Sequence, residues 1–136
     1  MKLLLDTNIL VSSVITTGSA KQFFTFCLLE HTLFTSEFIL EELRRILQLK
    51  FNVEESVLAL TDHYFRSQMK TIELTELVES IAPDSDDDNI ISAAISGKCD
   101  YIITGDKAFL SIKEYAGIKI VTMQEFRDID LERNFR

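Results

Sequence analysis

A chain of 136 residues, 46% hydrophobic and 26% charged, has the size and composition of one globular domain able to bury a core without staples. Its net charge of −8, from 22 acids against 14 lysines and arginines, argues against general electrostatic binding to nucleic acid, which rests on phosphate neutralisation. One proline and four glycines leave no linker or low-complexity tract, and no apolar run nears the roughly 18 residues that span a bilayer, so residues 1–136 read as a single domain with no membrane segment.

The apolar run 3–5 suits a central strand buried on both faces. Asp6 stops it far short of the apolar region of a signal peptide, which places the chain in the cytoplasm. Thr7 and Asn8 then open a turn or helix carrying Ile9, Leu10 and Val11. Ser19 begins a helix to about Glu30 that is apolar on most sides and so deeply packed. Cys27 lies on it; with the distant Cys99 it forms no Cys-x-x-Cys pattern, and both read as reduced packing residues.

Residues 32–35 read as a second strand, and Ser36 starts a helix to about Leu49. Its apolar set Ile39, Leu40, Leu43, Ile46 and Leu47 keeps helical spacing. Glu42 sits on the border of that stripe with Glu41 beside it, and helical phase alone leaves open which of the two points inward. A helix over 54–66 and a weaker strand over 71–74 follow. After Pro83 an acidic cluster leads into a helix over 89–95, rich in small residues and closed by Gly97 in the manner of a glycine cap. Residues 101–104 form a strand, 106 to about 116 a short helix, 118–121 the last strand and 123–128 a final helix. Strands alternating with helices at these lengths predict an α/β fold: three layers, α/β/α, around a central parallel sheet of four to five strands.

Carboxylates fall at the strand ends of this pattern. Asp6 ends the first strand, Asp84, Asp86, Asp87 and Asp88 crowd one helix start, and Asp106 follows a strand through Gly105. Ligands collect at the carboxyl ends of parallel strands, so these acids are expected at one edge. Each has a plain reading as a helix cap. Four acids in five positions nevertheless exceed what a helix dipole asks for. Close carboxylates repel by up to ~4 kcal/mol per pair at an effective dielectric near 20, which a divalent cation relieves. An acid-only donor set suits Mg²⁺ or Mn²⁺ rather than zinc, and a bound metal can reverse the local field despite the acidic net charge.

Other chemistries find little footing. His31 and His63 stand apart from the acidic segments, so Ser-His-Asp catalysis is unsupported. Neither G-x-G-x-x-G nor the phosphate-binding G-x-x-x-x-G-K-[ST] occurs. Asn8 takes the place of the second acid in the Asp-x-Asp of dehalogenase-like phosphatases, which disfavours a phosphotransfer enzyme.

Four segments together resemble the PIN domain family, and within it the bacterial and archaeal group that includes VapC-type toxin ribonucleases. They are Leu-Leu-Asp-Thr-Asn-Ile-Leu at 4–10, Ser-Glu-Phe-Ile-Leu-Glu-Glu-Leu-Arg-Arg-Ile-Leu at 36–47, Asp-Asp-Asp-Asn-Ile-Ile-Ser-Ala-Ala at 86–94 and Asp-Tyr-Ile-Ile-Thr-Gly-Asp at 100–106. The resemblance implies an acidic pocket of Asp6, Glu42, Asp88 and Asp106, with Asn8 and Thr104 in support and Asp87 as the fallback for Asp88. It selects Glu42 over Glu41 because Glu42 precedes Leu-Arg-Arg-Ile-Leu. It implies metal-dependent hydrolysis of RNA with Mg²⁺ or Mn²⁺, a small antitoxin partner in a type II toxin–antitoxin system, and a homodimer. Lys21, Arg44, Arg45 and Lys107 lie near these motifs and are candidates for the substrate backbone. One departure stands out: relatives often carry a further acid two residues after the position of Asp106, and here it is Ala108. A PIN-fold binding module with weak or no hydrolysis is the competing expectation.

Overall fold

The structure, a computed structural model, describes residues 1–135. In chain order the elements are β1 (Lys2–Leu5), α1 (Thr7–Ile15), α2 (Ser19–Glu30), β2 (Thr32–Ser36), α3 (Glu37–Phe51), α4 (Glu55–Gln68) and β3 (Lys70–Ile72). There follow α5 (Ser85–Ser96), β4 (Tyr101–Ile103), α6 (Lys107–Leu110), β5 (Glu114–Tyr115), β6 (Ile118–Val121) and α7 (Met123–Asn134). The strands make one six-stranded sheet in the order β3-β2-β1-β4-β6-β5, flanked by the helices. Every neighbouring pair is parallel except β5 with β6. Among the described residues no helix is long and apolar enough to cross a membrane.

The continuous apolar runs form the middle of this sheet because both of its faces are covered. Leu3, Leu4 and Leu5 of β1 are wholly buried. Leu4 pairs in register with Phe34 on one side and Ile102 on the other, and Ile102 with Ile120. That register aligns the carboxyl ends of β1, β4 and β6, where Leu5, Ile103 and Val121 stand side by side. Aromatic rings fill the space beneath the helices: Phe126 meets Phe23 and Tyr101 edge-on, and Phe24 meets Phe65 likewise. Cys27 and Cys99 are buried free thiols, as expected of packing residues, and burial pushes both up to about 12. His31 is also architectural. It lies 3.2 Å from the Asp130 carboxylate and 3.2 Å from the amine of Met1, with its ring edge-on to Phe126.

Three local expectations change. The short helix after Asp106 stops at Leu110, and Glu114–Tyr115 folds back as an antiparallel edge strand on β6. Ala116 and Gly117, at φ 52° and 81°, make the two-residue left-handed hairpin turn that permits it. A two-residue strand has no periodicity to announce itself. The last helix runs on to Asn134, started by a reciprocal cap between Thr122 and Glu125. Gly97 does follow α5, but at φ −85° it is right-handed, and Lys98 takes the left-handed position instead. Glycine at 97 leaves room for Ile72, since a Cβ there would meet Ile72 Cδ1 at 2.5 Å and push that side chain aside.

Candidate functional site

The parallel register of β1 and β4 carries the chain one step past Leu5 and Ile103, bringing Asp6 beside Thr104. The Asp6 N–H donates to Ile103 O at 2.9 Å, which fixes the backbone at this edge. The Thr104 side chain is fully buried; its hydroxyl donates to Asp6 Oδ2 at 2.6 Å and accepts the Asp106 N–H at 3.1 Å. One threonine thus fastens the acid of the first strand to the acid that follows the fourth. Asp6 also caps α1, its Oδ1 accepting the Thr7 N–H at 2.8 Å. Asp106 caps α6, its Oδ1 accepting the Ala108 N–H at 3.1 Å. Capping and clustering are compatible roles for both.

Glu42 arrives from α3. Ser36 starts that helix by accepting the Ile39 N–H at 3.3 Å, and the buried stripe Ile39, Leu40, Leu43 and Leu47 sets its rotation. With that face committed to the core, Glu41 is exposed and Glu42 half-buried. The charge of Glu42 is felt at both Asp6 and Asp87, so Glu42 is the inward member of the pair.

The acid-rich start of α5 divides into three parts. Asp84 is the cap, accepting the Asp86 N–H at 2.9 Å, and Asp86 is exposed. Asp87 and Asp88 are each 7% exposed but face different neighbours. The Asp88 carboxylate is occupied by backbone: Oδ2 accepts the Ser80 N–H at 2.9 Å, and Oδ1 accepts those of Ile81 and Ala82 at 3.0 and 2.7 Å. Asp87 instead faces the other acids, and its Oδ2 is buried with no hydrogen-bond partner. Burial, followed by the charges of Asp6, Asp84, Asp106 and Glu42, pushes Asp87 up to about 7. Asp6 is raised too: burial outweighs its two hydrogen bonds, and Glu42 and Asp106 add to the effect. The structure therefore turns Asp87 toward Asp6, Glu42 and Asp106, while the Asp88 carboxylate is engaged by the backbone of residues 80–82.

Asn8, expected to support Asp6, is exposed at the start of α1. The Thr7 N–H and the Thr104 hydroxyl hold Asp6 instead. Of the basic residues near the motifs, Arg44 is paired with Glu55, and Lys21 and Lys107 are exposed. Arg44 and Arg45 line a groove of about 320 Å³ along α3 that also touches Glu42 and Phe38.

Hard oxygen donors and an unpartnered buried carboxylate oxygen fit a hard divalent cation. Among the described residues no three ligating side chains close around one ion position.

A family profile described as PIN domain matches residues 2–108. No curated protein matches the sequence. Among solved structures, the chain is similar in fold to VapBC2 from Rickettsia felis, solved bound to a DNA fragment from its promoter. The TM-score is 0.63 at 16% identity, over 88% of this chain and 97% of the other. It is similar also to FitAcB from Neisseria gonorrhoeae, with a TM-score of 0.55 at 15% identity over 90% and 98% of the two chains.

Proposed function

This chain belongs to the PIN domain family, and from that premise we propose that it is a metal-dependent endoribonuclease and the toxin component of a type II toxin–antitoxin system. The observation that carries this reading is the convergence of Asp6, Glu42, Asp87 and Asp106, with Asp87 pushed up to about 7. Such a perturbed acidic cluster at the carboxyl edge of a parallel sheet is the pattern of a functional site.

Asp6, Asp87, Asp106 and Glu42 would supply the carboxylates for Mg²⁺ or Mn²⁺, one or two of them directly and the others through water. When bound, the cation supplies Lewis-acid chemistry, acidifying water and neutralising charge on the phosphodiester. The remaining tasks belong to the protein. Thr104 holds the Asp6 carboxylate and the backbone of Asp106 at the same edge of the sheet. Glu42 and Asp87 would offer carboxylate acceptors to the protons of a water at the cation. No side chain forms a covalent intermediate, and neither histidine is placed to take part. Lys21, Arg45 and Lys107, all exposed, are the cations left to meet the phosphate backbone, because Arg44 is engaged with Glu55. A short antitoxin covering the acidic edge, and pairing of two copies, complete the proposal in line with the fold shared with VapBC2 and FitAcB.

The test is cleavage of a mixed RNA substrate by purified protein. Activity with Mn²⁺ or Mg²⁺, lost on adding EDTA and absent in Asp6→Asn, is the expected result; full activity of Asp6→Asn would remove the assignment. Ala108 and the open spacing of the acids favour a second reading, a PIN-fold RNA- or protein-binding module without hydrolysis. A chain that takes up neither metal at millimolar concentration decides for it.

A further inference from the structure

Residues 73–84 cross from β3 to α5 outside helix and sheet. Backbone in that situation must find partners for its N–H groups elsewhere. It finds them on one face of α5. The N–H groups of Thr75 and Glu76 donate to Ser96 Oγ at 3.0 and 3.1 Å. That of Val78 donates to Ser92 Oγ at 2.9 Å. Those of Ser80, Ile81 and Ala82 donate to the carboxylate of Asp88. Positions 88, 92 and 96 are four residues apart and so stack along the helix. The segment runs antiparallel to the helix, meeting one acceptor per turn. Ser92 is itself aimed by donating to Asp88 O at 2.8 Å, which leaves its lone pairs for Val78.

Adjacent helical residues differ in direction by about 100°. The rotation of α5 that turns Asp88, Ser92 and Ser96 toward this segment therefore turns Asp87 to another side, where its neighbours are Asp6, Asp106 and Glu42. Those three repel Asp87, so something must hold it among them. The charge-assisted bonds to Asp88 are the strongest candidates, since such bonds are roughly twice as strong as neutral ones. We infer that Asp88, with Ser92 and Ser96, is a positioning element: it fixes the rotation of α5 against residues 75–82 and thereby presents Asp87 to the metal-binding edge, without being a ligand. The inference rests on the metal-dependent reading above.

It is tested on the full chain by calorimetric titration with Mn²⁺, well below the unfolding temperature of each variant, together with amide hydrogen exchange. Asp87→Asn is expected to lose Mn²⁺ binding while amides 75–82 stay slow. Asp88→Asn is expected to weaken Mn²⁺ roughly 10–100-fold, the range for partners that orient a ligand, and to release amides 80–82. Ser92→Ala, the milder variant should Asp88→Asn fold poorly, is expected to release Val78 and weaken Mn²⁺ about threefold to tenfold. Two results would overturn the inference: abolished binding in Asp88→Asn with amides 80–82 still slow makes Asp88 a ligand, and wild-type affinity with those amides released makes it structural only. Wild-type protein that binds no Mn²⁺ defeats the metal-dependent reading, and this inference with it.

Discussion

Asp87 should cost the metal-free protein stability, and Asp87→Asn should recover it. The carboxyl ionises at about 7 in the fold against an ordinary 3.8, so the folded state holds its proton more tightly than the unfolded one. Ionisation then opposes folding. The cost is absent below pH 3.8, grows as pH rises and is complete above about 7. At 1.36 kcal/mol per pKa unit the ceiling is ~4 kcal/mol. Water reaches part of this cluster and screens it, so ~2 kcal/mol is the working figure. Asparagine has nearly the same shape and no charge, and Oδ2 gives up no hydrogen bond in the exchange. Urea unfolding of both proteins in EDTA should therefore show no difference at pH 3.5. At pH 8 the variant should lead by about 2 kcal/mol, or roughly 4–8 °C in Tm. Mn²⁺ at a hundredfold excess over Kd should reverse the order, adding about 2.7 kcal/mol to the wild type alone. A stability gap that does not change between pH 3.5 and pH 8 would refute the electrostatic account of the cluster.

Thr104→Val keeps the shape but removes the hydroxyl between Asp6 and Asp106, leaving the Asp106 N–H without that acceptor. A loss of about 1–3 kcal/mol is expected in urea melts, with Mn²⁺ affinity down about 10-fold or more; wild-type values for both would show that the bridge is incidental. Gly97→Ala, just past the end of α5, forces a Cβ against Ile72 Cδ1 at 2.5 Å, so the Ile72 side chain must shift. Trimming the neighbour with Ile72→Val should relieve it, giving a coupling of about 1 kcal/mol in a double-mutant cycle, and additive effects would disprove the contact.

Most of the sheet was legible because burial on both faces writes itself as unbroken apolar runs. Residues 3–5, 101–104 and 118–121 could hardly be anything else, and they fixed where Asp6 and Asp106 would lie. Glu42 was half legible: the stripe of α3 brought it to the border, and only the family pattern, then the structure, separated it from Glu41. Asp87 and Asp88 mark the limit of such reasoning. Both are acids at a helix start, neighbours in sequence, and equally buried. What distinguishes them is the direction of α5, and that is set by backbone donors in residues 75–82, a stretch with no period of its own. A trace of the answer was present in Asp88, Ser92 and Ser96, short acceptors at four-residue spacing on a helix that is otherwise apolar or small beyond Asn89. Ala93 and Ala94, the small residues of that helix, are wholly buried. The serines serve as acceptors for a segment that no strand receives. Where a long patternless stretch precedes a helix, polar residues at helical spacing on that helix are better read as its hydrogen-bond partners. By that rule the acid in phase with them is architectural, and the acid out of phase is the one free for chemistry.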